Sequence, residues 1–200
     1  KNDDLNINKN YILLGLFLLA SCDPPNEVPS RNLVERNGIK YEINSQTPFT
    51  GISVSSWNNG QLGKKHTYKD GKLDGLSERY LENGQLFWKT TYKDGKLDGL
   101  FVEYWMNGQL ASKNIFKEGK VDKFFETYWI NGQLESRTTY KDGKEDGPFE
   151  TYYENGQLES KGNYKDGKLD GLVERYDETG QVNKFCNKND KQTDMTYCEK

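Results

Sequence analysis

Few side chains in this sequence are placed to do chemistry. The single histidine, His66, stands in a column that Thr90, Asn114 and Thr138 occupy at later steps of 24 residues, so no base or metal-ligand partner recurs beside it. Ser112, Ser136 and Ser160 share another column and have no histidine next to them, which argues against a nucleophilic triad. The acidic column Asp74, Asp98, Asp122, Asp146 and Asp170 is rich in oxygen ligands and could hold calcium. The local motif, however, is Lys-Asp-Gly-Lys-Leu-Asp-Gly, in which lysines interrupt the carboxylates and the denser acidic spacing of a calcium loop is missing. A turn-forming role suits these aspartates better. No catalytic residue, metal ligand or cofactor is therefore expected, and the chain is not expected to be an enzyme.

Three cysteines remain. Cys186 and Cys198 lie near the C-terminus, outside the regular pattern, and in an exported chain they would close a small loop as a disulfide. Two free thiols, or half of a zinc site, are the other readings. Cys22 follows Tyr11 to Ala20, an apolar run of about ten residues that falls well short of the roughly 20 needed to span a bilayer. The run fits the apolar part of an export signal. Leu19-Ala20-Ser21-Cys22 resembles the bacterial lipobox. That resemblance implies cleavage before Cys22, lipid on its thiol, and durable anchoring, since each buried methylene adds about 0.8 kcal/mol. Asp23 resembles an inner-membrane retention signal of enteric bacteria. Three of the five prolines lie between Asp23 and Arg31, the composition of an extended tether.

The elements that would carry any site come from an internal repeat. Gly-Gln-Leu starts at Gly60, Gly84, Gly108, Gly132 and Gly156, and Gly180-Gln181-Val182 follows at the same 24-residue step. Gly71, Gly95, Gly119, Gly143 and Gly167 form a second column. Gly51, Gly75, Gly99, Gly147 and Gly171 form a third, which Lys123 interrupts. Mean hydropathy is −0.99, and only 33% of residues are hydrophobic, too little for a thick core. Yet 13 Tyr, 9 Phe and 4 Trp set the chain apart from disordered segments. The 28 basic and 31 acidic residues are interspersed, so no basic stripe exists to meet a phosphate backbone and nucleic acid is not an expected partner.

Asn-Gly between alternating runs predicts a hairpin with a type I′ turn, and the Asp-Gly column predicts a second turn into the next unit. Such a register sets Glu78 opposite Lys89, Glu126 opposite Arg137 and Glu150 opposite Lys161. It also sets Trp57, Trp105, Trp129 and Tyr153 opposite Leu62, Leu110, Leu134 and Leu158. Pro148 and Lys123 are expected to distort their junctions.

With these columns in view, the units resemble the bacterial variant of the MORN repeat, as in proteins of the YwqK antitoxin-like type. The resemblance implies an all-β fold: an elongated, single-layer antiparallel sheet of stacked β-hairpins, preceded here by a signal helix. The expected organisation is a signal peptide over 1–21, a Pro-rich tether over 22–32, an N-terminal cap over 33–50, repeats over 51–185 and a C-terminal cap over 186–200. A single layer cannot hide both faces, so Trp57, Trp88, Trp105, Trp129 and Tyr153 are expected to form a binding face. The expected function is that of a lipid-anchored bacterial envelope protein whose repeats bind a protein partner or act as a spacer. An antitoxin-like role, neutralising a partner toxin, is implied by the resemblance, and binding of an envelope glycan is a further reading.

Overall fold

The structure is a computed structural model that describes residues 26–199. The expected signal helix and Cys22 lie outside the described residues. Strand β1 (Glu27–Pro29) pairs in parallel with β4 (Gly51–Ser56), so the sheet already starts within the proline-rich segment. Between them β2 (Leu33–Arg36) and β3 (Ile39–Glu42) make a separate hairpin. It sits on the first repeat through Lys40 N–H, which donates to the Gly71 carbonyl at 2.9 Å.

From β4 onward the order is β5 (Leu62–Lys69), β6 (Lys72–Tyr80), β7 (Leu86–Lys93), the short β8 (Lys96–Leu97), β9 (Gly99–Tyr104), β10 (Leu110–Lys117) and β11 (Lys120–Tyr128). There follow β12 (Leu134–Lys141), β13 (Lys144–Tyr152), β14 (Leu158–Lys165), the short β15 (Lys168–Leu169), β16 (Gly171–Tyr176), β17 (Val182–Lys188) and β18 (Lys191–Thr193). Each strand pairs with its predecessor, except that β9 and β16 pair with β7 and β14, which also carry the short β8 and β15. The result is the expected layer of stacked hairpins. Six of them, β4/β5, β6/β7, β9/β10, β11/β12, β13/β14 and β16/β17, are numbered one to six below.

The two turns of each unit are of different kinds, and not as expected. At Asn83-Gly84 only the glycine has positive φ, +84°. The loop has three residues: Gly84 N–H donates to Leu81 O at 2.9 Å and Leu81 N–H to Gln85 O at 2.8 Å. Asn83 Oδ1 accepts the Gln85 N–H at 3.0 Å, which holds the asparagine in an ordinary right-handed conformation. The two-residue turn with both φ positive occurs at Asp-Gly instead, as at Asp94 (+48°) and Gly95 (+83°), flanked by the pair Lys93 and Lys96.

The longer loop corrects the expected aromatic pairs by one residue. Leu86, Leu110, Leu134 and Leu158 face Tyr80, Tyr104, Tyr128 and Tyr152, and Leu62 faces Ser56; none faces a tryptophan or Tyr153. A bulge at the next position then restores the register. Glu78 accordingly faces Lys89, Glu126 faces Arg137 and Glu150 faces Lys161.

These pairs join into one line across the sheet: Lys65, Glu78, Lys89, Val102, Lys113, Glu126, Arg137, Glu150, Lys161, Glu174, Lys184. Charge alternates at every step except at Val102. Glu126 meets Arg137 at 2.7 Å, and Glu174 meets Lys161 at 2.9 Å and Lys184 at 2.5 Å. The tyrosine column shares this face, where the Tyr128, Tyr152 and Tyr176 hydroxyls donate to Glu126, Glu150 and Glu174.

The other face carries the thin core. Ser53, His66, Ser77 and Thr90 lie opposite one another in one run. Phe101, Asn114, Phe125, Thr138, Phe149 and Gly162 continue it. Rings from the strand ends close over it: Phe116 against Phe101, Tyr140 against Phe125, Tyr164 against Phe149. At Gly162 an added Cβ would stand 2.8 Å from Phe149, so the aromatic ring occupies the missing side chain's place.

Lys123 keeps the backbone of the glycines it replaces, with φ at +81°. Pro148 pairs with Asn163 in register on the β14 side, while on the β12 side the register shifts between Thr138 and Tyr140, as it does at the equivalent junctions that have no proline. At the C-terminal end Cys186 and Cys198 are joined in a disulfide, their Cα atoms 6.0 Å apart.

Candidate functional site

The aspartates of the 24-residue column have a structural task. Asp74, Asp98 and Asp146 each accept the backbone N–H of a residue 20 positions on, Asp94, Glu118 and Asp166. Each carboxylate thus ties the start of its hairpin to the turn that leads out of it into the next. Among the described residues no cluster of His, Cys, Asp and Glu has the arrangement of a metal site.

On the Asn-Gly margin the aromatic residues do equivalent work. The indole N–H groups of Trp57, Trp105 and Trp129 donate to the carbonyls of Tyr80, Tyr128 and Tyr152 at 3.1, 3.0 and 2.9 Å, and the Tyr153 hydroxyl donates to Tyr176 O at 2.8 Å. Beside them Asn59, Asn107 and Asn131 donate to Glu82, Ile130 and Glu154 carbonyls. Each ring therefore spends its polar edge on the neighbouring hairpin and leaves its apolar body outward: Trp57 and Trp105 are 36% and 39% exposed.

Two adjoining hollows follow from this arrangement. One, of about 440 Å³, is lined by Phe87, Tyr104, Trp105, Met106 and Phe125, with Glu103 and Glu135 at its border. The other, of about 1040 Å³, is lined by Trp129, Tyr152 and Tyr153 and by Glu135, Glu154, Glu159 and Glu178. Thr127 and Glu135 belong to both, which makes them one groove. No lysine or arginine lines either part, although such residues are almost as numerous in the chain as acidic ones. Glu135, Glu154, Glu159 and Glu178 form no ion pair among the described residues. The charged side chains that line the groove are all acidic and its walls are aromatic, with the Arg79 guanidinium over the Phe87 ring at 5.5 Å.

Of the five aromatic residues expected on a binding face, Trp105, Trp129 and Tyr153 line this groove. Trp57 lines a separate hollow against Pro29, Ser30 and Arg31. Trp88 lies apart from both: its ring stacks on Phe101 at 6.4 Å and neighbours His66, within the thin core. The groove glutamates Glu135 and Glu159 were not singled out from sequence, because they occupy the bulge position that a two-residue turn does not create. A trace of that position is nonetheless visible. Trp57 is followed six residues on by Gly63 and Trp105 by Ala111, whereas the smaller Leu81 is followed by Phe87.

Burial and a hydrogen bond to Glu126 push the Tyr128 hydroxyl up to about 12, and burial with a hydrogen bond to Glu145 does the same for Tyr140. Both serve as donors to carboxylates rather than as acids. Hydrogen bonds from Lys184, Lys161 and Tyr176 hold Glu174 down at about 2.

Two segments, residues 73–94 and 145–166, match the model of the MORN repeat variant. Repeats of this kind generally act as modules that engage proteins or membranes. No curated protein matches the chain. Among solved structures, one chain of a GtfA/B complex bound to UDP and GlcNAc matches over 72% of this chain at 14% identity, with a TM-score of 0.24. This chain spans about a quarter of that one, 25%. The described residues contain no helix long and apolar enough to cross a membrane.

Proposed function

We propose that the chain is a bacterial envelope lipoprotein, held to a membrane by lipid on Cys22, whose MORN-like repeats bind a protein partner in the groove along their Asn-Gly margin. The observation that carries this reading is the groove itself. Aromatic rings pinned by their polar edges present rigid apolar surface, and unpaired carboxylates beside them supply direction and charge. An active site would need convergent acid, base and nucleophile, which repeated columns do not supply. Aromatic walls beside carboxylates and hydroxyls also suit a sugar, which keeps an envelope glycan as the second reading.

Labelling with a palmitate analogue, followed by fractionation, tests the anchor: the chain is expected in the membrane fraction, and Cys22→Ser is expected to release it. A soluble, unlabelled wild-type chain would remove the anchor. Trp129→Ala and Glu159→Gln test the groove by capture from envelope extract alongside pelleting with insoluble glycan. A captured protein lost with both variants supports the protein reading, and loss of glycan pelleting alone would transfer the site to sugar.

A further inference from the structure

One junction of the margin breaks the pattern of aromatic ties. Donors from the first, third, fourth and fifth hairpins reach the carbonyls of Tyr80, Tyr128, Tyr152 and Tyr176. In the second hairpin that donor position is Leu81, whose side chain has no N–H or O–H to give. Among the described residues no side chain donates to the equivalent carbonyl, that of Tyr104. The companion tie is missing as well, since Asn83 Nδ2 turns to the nearby Gln85 Oε1 at 2.8 Å.

Volume at this junction has been replaced, but the hydrogen bond has not. In the first and third hairpins, where the tie exists, the residue six positions on is small, Gly63 and Ala111, and a Cβ on Gly63 would stand 3.2 Å from the Trp57 indole nitrogen; in the fourth and fifth hairpins it is Glu135 and Glu159. Where Leu81 replaces the indole, that position is Phe87, whose ring lies under the Arg79 guanidinium at 5.5 Å and offers no donor. The 440 Å³ hollow opens at this place, walled by Phe87, Tyr104, Trp105 and Phe125, with the Met106 side chain 80% exposed at its lip.

We propose that this hollow is the anchor point for a protein partner, and that the partner supplies what Leu81 lacks: a tryptophan or tyrosine whose N–H or O–H reaches the Tyr104 carbonyl. The proposal rests on the reading of the margin as a protein-binding groove and deepens it by naming the partner's chemistry. Four junctions of the same molecule show what such a carbonyl accepts, the N–H or O–H of an aromatic side chain. Charge fixes what flanks it. Glu103 and Glu135 border the hollow and the acidic groove continues beyond, so the anchoring residue is accompanied by lysine or arginine. An extended segment fits, because the groove runs across successive strands.

The chain contains two methionines, Met106 at the hollow and Met195 near the C-terminus, and this gives the test. The full chain, carrying methyl-labelled methionine in mild detergent, is titrated with the capped hexapeptide Gly-Trp-Gly-Lys-Gly-Lys. Two control peptides replace Trp with Leu, or both Lys with Glu. The Met106 methyl signal is expected to move saturably with the first peptide while Met195 stays still, and the Trp peptide is expected to bind roughly tenfold tighter than the Leu peptide. The double variant L81W/F87A copies the Trp105 and Ala111 arrangement and gives the carbonyl an internal donor. It is expected to abolish the preference for Trp, and F87A alone to keep it. Equal affinity of Trp and Leu peptides, no movement at Met106, or a preference undiminished in the double variant overturns the anchor. If partner capture still depends on Trp129 and Glu159, the groove survives that loss; if capture ignores them too, both readings fall.

Discussion

His66 lies in the thin core between Ser53 and Ser77, its Nδ1 buried without a partner. Burial, then the charge of Lys64, pushes its pKa below the ordinary 6.5. The folded chain therefore binds this proton less readily than the unfolded one, and stability must fall as pH drops below 6.5. It is the single histidine, the side-chain type whose ordinary charge change falls between about pH 5 and 8. The urea midpoint is expected to decline from pH 7 to 5, and His66→Thr, which copies Thr90, is expected to flatten that decline. Glu174 acts at lower pH. Its carboxyl is held at about 2 against an ordinary 4.5, so its contribution is complete above 4.5 and disappears as pH falls toward 2. Glu174→Gln should weaken the acid dependence in that interval alone. Lys123 holds a left-handed backbone at a position where glycine recurs, and Lys123→Gly is expected to raise stability by about 1 kcal/mol in denaturant unfolding.

At the scale of strands and turns, what sequence could tell depended on which chemistry repeats. Glycine columns specified the number of hairpins and their order. The charge pairs came out in register because the extra loop residue at Asn-Gly is cancelled by the bulge that follows it. The aromatic pairs lie between loop and bulge, where the cancellation has not yet happened, and so came out one residue wrong. Asn-Gly suggested a turn with two left-handed residues, but the Asn83 side chain can hold the Gln85 N–H only by staying right-handed, and this local bond prevailed. Turn strain is therefore expected at Asp94, not at Asn83: Asp94→Ala should cost about 1 kcal/mol and Asn83→Ala less. The ties from one hairpin to the next, and the groove they frame, depend on where side chains point from an irregular loop, which no periodicity encodes. The Val102 interruption is legible in both. Val102 is buried, so at this step the line exchanges a charge pair with Lys89 and Lys113 for an apolar side chain.

Across the whole molecule each hairpin touches only its neighbours, so a local injury should stay local. The Cys186 to Cys198 bridge closes a short loop over the last strands, a closure worth about 3 kcal/mol in the chain-entropy view. Reduction is expected to speed amide exchange in β17 and β18 while β9 to β13 keep their protection; uniform loss along the sheet would instead reveal a single cooperative unit. The two margins of the array also end differently from its middle. At one end β1 runs parallel and finishes at Pro29, which has no N–H to offer; at the other β18 is three polar residues long. Neither described edge offers a long unpaired strand, and the 14 strands on the main path, at about 4.8 Å apiece, reach roughly 60 Å. Loss or gain of one 24-residue unit would change that reach in a step of about 10 Å, leaving the grip of every remaining hairpin as it was.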